Sequence, residues 1–149
     1  MMIGVPGSGK STWIANQNWI QDCVIVSTDN LIEAEAERQG KTYNEVFKDY
    51  IDTATGMMRE QVAAAVAEGR DIIWDQTNTV AKSRKGKLTL VKGYRKIAVV
   101  FAVPEPAELE QRLAGRPGKT IPGHVLDTMI KGFAVPTEEE GFDEIWRAQ

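Results

Sequence analysis

The chain has 149 residues and a mass of 16.5 kDa, with 42% hydrophobic and 26% charged residues. This composition excludes the disordered, collagen-like and coiled-coil classes and predicts one compact domain over residues 1–149. The net charge of −3 argues against a protein that coats nucleic acid by bulk electrostatics. A single cysteine, Cys23, excludes an intrachain disulfide, so we expect a reducing, cytoplasmic environment. No apolar run reaches the length that spans a bilayer, and we therefore expect no membrane partner.

Short apolar segments rich in β-branched residues predict about four strands. They cover residues 1–5, 23–27, 71–74 and 96–103. Helical periodicity separates them, most clearly over residues 43–66, as one long helix or a pair with a bend near Gly56, beginning at a Thr42–Glu45 capping box. Weaker helical patterns cover residues 10–18, 30–39, 80–92, 106–113 and 124–133. Because strand and helix alternate, we expect an α/β fold with a short parallel sheet between two helical layers.

Residues 4–11 read GVPGSGKS, an unbroken match to the phosphate-loop pattern G-x-x-x-x-G-K-[ST]. In this motif glycines let backbone N–H groups point at phosphates, the lysine reaches phosphate oxygens, and the serine hydroxyl binds Mg²⁺. The sequence therefore predicts a P-loop NTPase-type three-layer α/β/α fold that binds ATP or GTP with Mg²⁺. The expected nucleotide-binding residues are Gly7, Ser8, Gly9, Lys10, Ser11 and Thr12, with Ser11 on the metal.

Two aspartates follow predicted strands. Asp29 comes after VIVST and Asp75 after IIW, so both carboxylates are expected at the sheet edge that carries the phosphate loop. Phosphoryl transfer needs a group that takes the acceptor proton and a group that helps to hold metal or acceptor, and these two could supply both. The alternative is structural: Asp29 would cap a helix beginning at Asn30, and Asp75 would form a turn.

A Gly/Pro-rich connection between two helical patterns, residues 112–123, predicts a helical lid. It contains Arg112 and Arg116. Lid arginines can close over a transferred phosphoryl group and neutralise its developing charge, and Arg116 is the favoured candidate. The alternative is a solvated surface, with Arg112 acting as a cation at a helix C-terminus.

Taken in chain order, several motifs resemble the kinase domain of the polynucleotide kinase family, the phage 5′-hydroxyl kinases in particular. They are GVPGSGKSTW, STD, DQTN, R-x-x-x-R-x-G-K-x-I-P and V-x-x-x-M-x-x-x-F-x-x-P-x-x-x-E-G-F. The resemblance implies Mg²⁺-assisted transfer of the γ-phosphate of ATP to the 5′-hydroxyl of DNA or RNA. It further implies that Lys10 and Ser11 hold nucleotide and metal, and that Asp29 is the general base. Asp75 would support the acceptor site, and Arg116 would be the lid arginine.

The chain departs from this family pattern at the acceptor side. Phage relatives carry an arginine three residues after the base, where this sequence has Ile32. Arg38 or Arg84 is the expected substitute that grips the acceptor. The D-x-D-x-T/V phosphatase signature is missing, so the resemblance covers the kinase domain alone.

Two other functions remain open. The first is a kinase for a nucleoside, a sugar acid or an antibiotic on the same fold, and the second is a non-catalytic nucleotide-binding module. The basic segment, residues 82–96, favours a polymeric acceptor, because a polyanion needs cations outside the active centre.

Overall fold

The computed structural model describes residues 1–148, in which five parallel strands alternate with six α-helices. The strands are β1 (Met2–Ile3), β2 (Val24–Val26), β3 (Ile72–Trp74), β4 (Ile97–Val100) and β5 (Glu144–Arg147). The helices are α1 (Lys10–Ala15), α2 (Thr28–Gln39), α3 (Tyr43–Ala67), α4 (Ala81–Leu88), α5 (Pro106–Ala114) and α6 (Gly123–Lys131). The alternation of strand and helix confirms the predicted α/β class.

The sheet consists of two hydrogen-bonded pieces. One has the order β1-β4-β5 and the other pairs β2 with β3. The segment after β3 joins them, because the Gly4 N–H donates to the Thr77 carbonyl at 2.9 Å and the Asn78 side-chain Nδ2 donates to the Met2 carbonyl at 2.8 Å. The strand β1 therefore lies in the middle, and the phosphate-loop sequence leaves the centre of the sheet.

The sequence predicted four of the five strands, at greater length than they have. The fifth strand, β5, lies in a segment for which the sequence predicted no strand. Ile145 and Trp146 align with Ala98 and Val99 of β4, and the backbone of β5 extends the sheet at its edge.

The two residues of β1 pack on opposite faces of the sheet. Met2 belongs to an apolar cluster with Ile14 of α1, whereas Ile3 packs with Leu88 of α4. A third cluster joins Met58 of α3 to the pair β2 and β3. Helices thus cover both faces, which confirms the three-layer architecture.

Local capping fixes where two of the helices begin. The Ser27 hydroxyl accepts a hydrogen bond from the Asn30 N–H, so α2 begins at Thr28, two residues earlier than predicted. The Thr42–Glu45 capping box is confirmed at the start of α3. This helix runs unbroken through Gly56 for 25 residues, so the predicted alternative of two helices with a bend is wrong. Within residues 1–148, no helix combines the length and the apolar composition needed to cross a membrane.

Candidate functional site

The phosphate loop connects β1 to the N-terminus of α1. Gly7 and Gly9 adopt left-handed φ angles of 83° and 96°, which side-chain-bearing residues rarely adopt. A Cβ atom on Gly7 would lie 2.8 Å from the Leu109 Cδ1 atom, so the loop also needs glycine for space. The loop backbone is therefore held in the curled form that directs N–H groups at an anion.

The Lys10 ammonium lies folded against this loop. It donates hydrogen bonds to the carbonyls of Gly4 and Val5, both at 2.9 Å. Burial lowers the pKa of Lys10 to about 8, although the Asp75 carboxylate opposes this shift. A desolvated ammonium held only by neutral carbonyls is a ready partner for phosphate oxygens, which favour its charged form.

Ser11 and Asp75 bring two oxygen ligands together beside the loop. Ser11 lies in the first turn of α1, and its hydroxyl donates to the Asp75 Oδ2 atom at 3.1 Å. Burial raises the pKa of Asp75, which follows β3. Within residues 1–148 no three His, Cys, Asp or Glu side chains form a metal cage. The hydroxyl–carboxylate pair still fits Mg²⁺, because this ion binds through one or two protein oxygens and completes its shell with phosphates and water.

Asp29 lies in the first turn of α2, and both of its carboxylate oxygens accept hydrogen bonds. The Tyr43 hydroxyl donates to Oδ1 at 2.7 Å, and the Lys119 ammonium donates to Oδ2 at 2.9 Å. Because Ser27 caps the helix, the alternative that Asp29 serves only as the cap is wrong. Burial, together with Asp29, raises the pKa of Tyr43, so this phenol stays protonated and acts as a donor.

Two cavities flank the phosphate loop. The first, which we call the carboxylate cavity, has a volume of about 810 Å³ and contains Lys10, Ser11, Asp29 and Asp75 in its wall. The second, which we call the tryptophan cavity, has a volume of about 920 Å³ and is lined by Thr12, Trp13, Ser8, Phe101 and Arg112, among others. Gly7, Gly9, Thr12 and Arg116 line both cavities. A ligand that occupied both would therefore pass along the phosphate loop.

The lid arginines differ in their surroundings. Arg112, in the last turn of α5, donates to the Gly7 carbonyl at 2.9 Å and pairs with Glu108 at 2.6 Å. Arg116 is exposed at the start of the connection between α5 and α6. It lines both cavities, and its assignment as the lid arginine stays a prediction.

The structure contradicts the expectation that Arg84 binds an acceptor. This side chain is fully buried, and its guanidinium forms two hydrogen bonds with the Glu140 carboxylate and one with each of the carbonyls of Asn78 and Ala134. Its donors are committed to holding α4 against the segment that precedes β5. Arg84 is therefore a structural residue, because no face of it is open to a phosphate.

Arg38, the other expected substitute, lies on an exposed surface of α2. Its side chain is 71% exposed and pairs with Glu35 one turn away, at 2.5 Å. In the part of the chain that the structure describes, Arg38 lines neither cavity. Its assignment to acceptor binding stays a prediction.

The basic segment is less positive than its sequence indicates. Besides Arg84, Lys87 points inward and donates to the Asn78 Oδ1 atom at 2.5 Å, and burial lowers the pKa of Lys87 to about 8. Arg95 pairs with Glu144. Among the described residues, none of positions 82–96 lines either cavity, so this segment is not an extension of the site.

Sequence reasoning missed two residues of the site. Tyr43 begins the helical periodicity of residues 43–66, which predicts a packing role for it, and Lys119 is the lysine of the lid motif R-x-x-x-R-x-G-K-x-I-P, for which no role is predicted. Both contact Asp29, from 14 and 90 residues away along the chain. The signal available for Tyr43 was its phenol hydroxyl at the start of a helix. For Lys119 the only signal was its place in the lid motif.

Comparison with known proteins identifies the family of the chain. Heterogeneous nuclear ribonucleoprotein U-like protein 2 from Homo sapiens is 26% identical to the chain over 159 aligned positions, and so is the Mus musculus protein. Each alignment covers 97% of this chain and 20% of the relative, so the chain spans about a fifth of these proteins. The family described as AAA domain matches residues 1–136. The chain therefore belongs to this family of P-loop, kinase-like domains, which includes polynucleotide kinases.

Proposed function

We propose that the chain transfers the γ-phosphoryl group of ATP to the 5′-hydroxyl end of DNA or RNA. The single observation that carries the proposal is the carboxylate cavity. It brings the phosphate-loop residues Lys10 and Ser11 together with the carboxylate of Asp29 and the lid residue Arg116. A second carboxylate beside a phosphate site, in addition to the one that helps to hold the metal, can take the proton of an acceptor hydroxyl, which is what a phosphotransferase needs.

The two cavities suggest where the substrates bind. The aromatic rings of Trp13 and Phe101 in the tryptophan cavity can pack against a nucleotide base, and Arg112 lies on the same wall. The phosphates would then follow the loop past Gly9 toward the carboxylate cavity. The acceptor hydroxyl would enter from the far side, next to Asp29.

Each group has a distinct chemical task. The acceptor oxygen attacks the γ-phosphorus, the bond to the oxygen bridging the β- and γ-phosphorus breaks, and ADP leaves. The hydroxyl proton passes to the Asp29 carboxylate. Lys10 and Arg116 balance negative charge on the transferred group, and Arg116 does so from the lid. Mg²⁺, held by Ser11 and Asp75, would supply further neutralisation of the phosphate oxygens.

The motifs in chain order support a polynucleotide acceptor, as does membership of a family that includes polynucleotide kinases. The relatives are named as ribonucleoproteins, and although the chain spans only a fifth of them, this name adds support for an RNA acceptor.

A small-molecule kinase is the second candidate, and one observation favours it. Glu33 and Glu37 line the carboxylate cavity on its acceptor side, where a polyanion would be repelled. Ile32, which replaces the family's arginine, is fully buried and supplies no cation. The acceptor class therefore depends on whether Lys41 and Lys119, on the same wall, outweigh these carboxylates.

The test offers labelled ATP and Mg²⁺ to 5′-hydroxyl DNA and RNA oligonucleotides and, in parallel, to nucleosides, sugar acids and aminoglycosides. Lys10→Ala serves as the blank for contaminating kinases, since it removes the ammonium that faces the phosphates. We expect label on the 5′ end of the oligonucleotides only, with a rate that falls as salt rises. Label on a small hydroxyl compound and none on oligonucleotides would establish the second candidate instead.

A further inference from the structure

The lid segment 118–120 rests on α2 and α3. Asn44, in the first turn of α3, donates from its side chain to the Thr120 carbonyl at 3.0 Å and accepts from the Thr120 N–H at 2.9 Å. The Asn44 N–H donates to the Gly118 carbonyl at 3.1 Å. A Cβ atom on Gly118 would lie 2.9 Å from the Thr42 Cβ, so the backbones meet closely. This contact brings the tip of the lid to the edge of the carboxylate cavity.

Lys119 occupies the centre of this contact. Its ammonium lies 2.9 Å from the Asp29 Oδ2 atom, 2.8 Å from the Glu33 Oε1 atom and 4.3 Å from the centre of the Tyr43 ring. The side chain is only 13% exposed, whereas each carboxylate is half exposed. One cation thus joins the lid to two carboxylates of α2 and to an aromatic ring of α3.

We propose that Lys119 is a positioning residue, which fixes the orientation of the Asp29 carboxylate and holds the lid over the site. The inference rests on the proposed function for its catalytic part. A carboxylate has about four lone-pair positions, and the donors Tyr43 and Lys119 occupy two, one on each oxygen. The carboxyl plane is therefore fixed while positions remain for the acceptor hydroxyl. Arg116 lies three residues before Lys119 and lines the same cavity as the phosphate loop, so the same contact restrains the segment that presents it.

The kinetic test compares Lys119→Met, which keeps the length of the stem and removes the charge, with Lys119→Arg, which retains the charge. The control is Lys131→Met, an exposed lysine in the last turn of α6. We expect Lys119→Met to lower kcat about 10- to 100-fold, the usual cost of losing a group that orients a reacting side chain, with the KM for ATP within about threefold. Lys119→Arg should recover most of the loss, and Lys131→Met should match the wild type.

A binding role predicts a different result. If Lys119 served mainly to hold the nucleotide, Lys119→Met would raise the KM for ATP and leave kcat almost unchanged. That outcome, or a wild-type kcat in Lys119→Met, overturns the catalytic part of the inference.

The role of Lys119 in holding the lid can be tested without a substrate. Hydrogen exchange over residues 114–122 reports the opening of the Thr120 N–H, which bonds to Asn44. Loss of two ion pairs and a cation–π contact should accelerate this exchange about tenfold in Lys119→Met and much less in Lys119→Arg. Equal exchange in wild type and Lys119→Met refutes the lid contact, whatever the activity. A wild type that phosphorylates no acceptor refutes the proposed function instead, and exchange still decides the role of Lys119.

Discussion

Replacing Arg84 by Met should lower the free energy of unfolding and leave the KM for the acceptor unchanged. The change keeps an unbranched stem and removes a guanidinium that is wholly buried and forms four hydrogen bonds. Removing one partner of a buried ion pair typically costs about 3–5 kcal/mol, because the other charge stays in place without compensation. Glu140 is 17% exposed on its side chain and can regain some water, which favours the lower half of that range.

Two carbonyls add to this loss. Those of Asn78 and Ala134 each lose a charged donor, and an unsatisfied buried acceptor costs about 1–3 kcal/mol. The two costs overlap, because one guanidinium makes all four contacts and local relaxation lets water reach the groups that it leaves, so we expect a total loss of about 3–5 kcal/mol. A protein of this size has about 5–15 kcal/mol of stability, and the variant should therefore be folded at low temperature and marginal on warming.

Urea unfolding at 15 °C measures this loss, with Arg84→Lys and Lys85→Met as comparisons. Arg84→Lys retains one charge but not the paired contacts and should lie between wild type and Arg84→Met. Lys85 is exposed on the same helix and should be neutral. The Arg84 guanidinium lowers the pKa of Glu140 below its ordinary value of 4.5, so the stability from this pair is present above pH 4.5 and is lost as pH falls through the lowered pKa. A loss below about 1 kcal/mol with a raised acceptor KM would refute the structural role.

Three further outcomes concern the phosphate loop. Lys10→Ala should abolish ATP binding and transfer in calorimetric and single-turnover assays, while the free energy of unfolding changes by less than about 1 kcal/mol, since the ammonium is desolvated in the free protein. Burial lowers the pKa of Lys10 to about 8, and bound phosphates should raise it again. ATP binding should therefore take up protons above pH 8, and the affinity for ATP should fall as pH rises. Equal heats of binding in two buffers of different ionisation enthalpy would contradict this. Gly7→Ala combines a φ of 83° with a 2.8 Å approach to Leu109 and should weaken ATP binding at least tenfold by calorimetry; wild-type affinity would show that the loop accommodates a side chain.

What the sequence predicted well is local in the chain. The phosphate loop occupies eight consecutive residues, and the strand-end aspartates follow from the polarity of parallel strands. The capping box of α3 is likewise a four-residue pattern, from Thr42 to Glu45. Such features need no knowledge of distant partners.

The errors concern contacts between distant parts of the chain. Arg84 resembled a surface cation because its partner, Glu140, lies 56 residues away. The strand β5 is short and contains a glutamate and an arginine, and only its pairing with β4 makes it a strand. Lys119 was equally hard to predict, because its partner Asp29 lies 90 residues away in the chain. A pattern within one helix or loop cannot indicate which of several basic side chains will be buried or will bridge two distant elements.

The most direct test of the central claim is single-turnover phosphoryl transfer by Asp29→Asn, with ATP binding measured on the same sample. The amide keeps the size of the carboxylate but loses the basic oxygen, so we expect the rate of transfer to fall about 10²–10⁴-fold. ATP affinity should stay close to that of the wild type, because Lys10 and the loop backbone hold the phosphates. Since Ser27 caps α2, the substitution leaves the helix start intact. Unchanged transfer by the Asn variant would contradict the account, because it would show that Asp29 takes no proton from the acceptor.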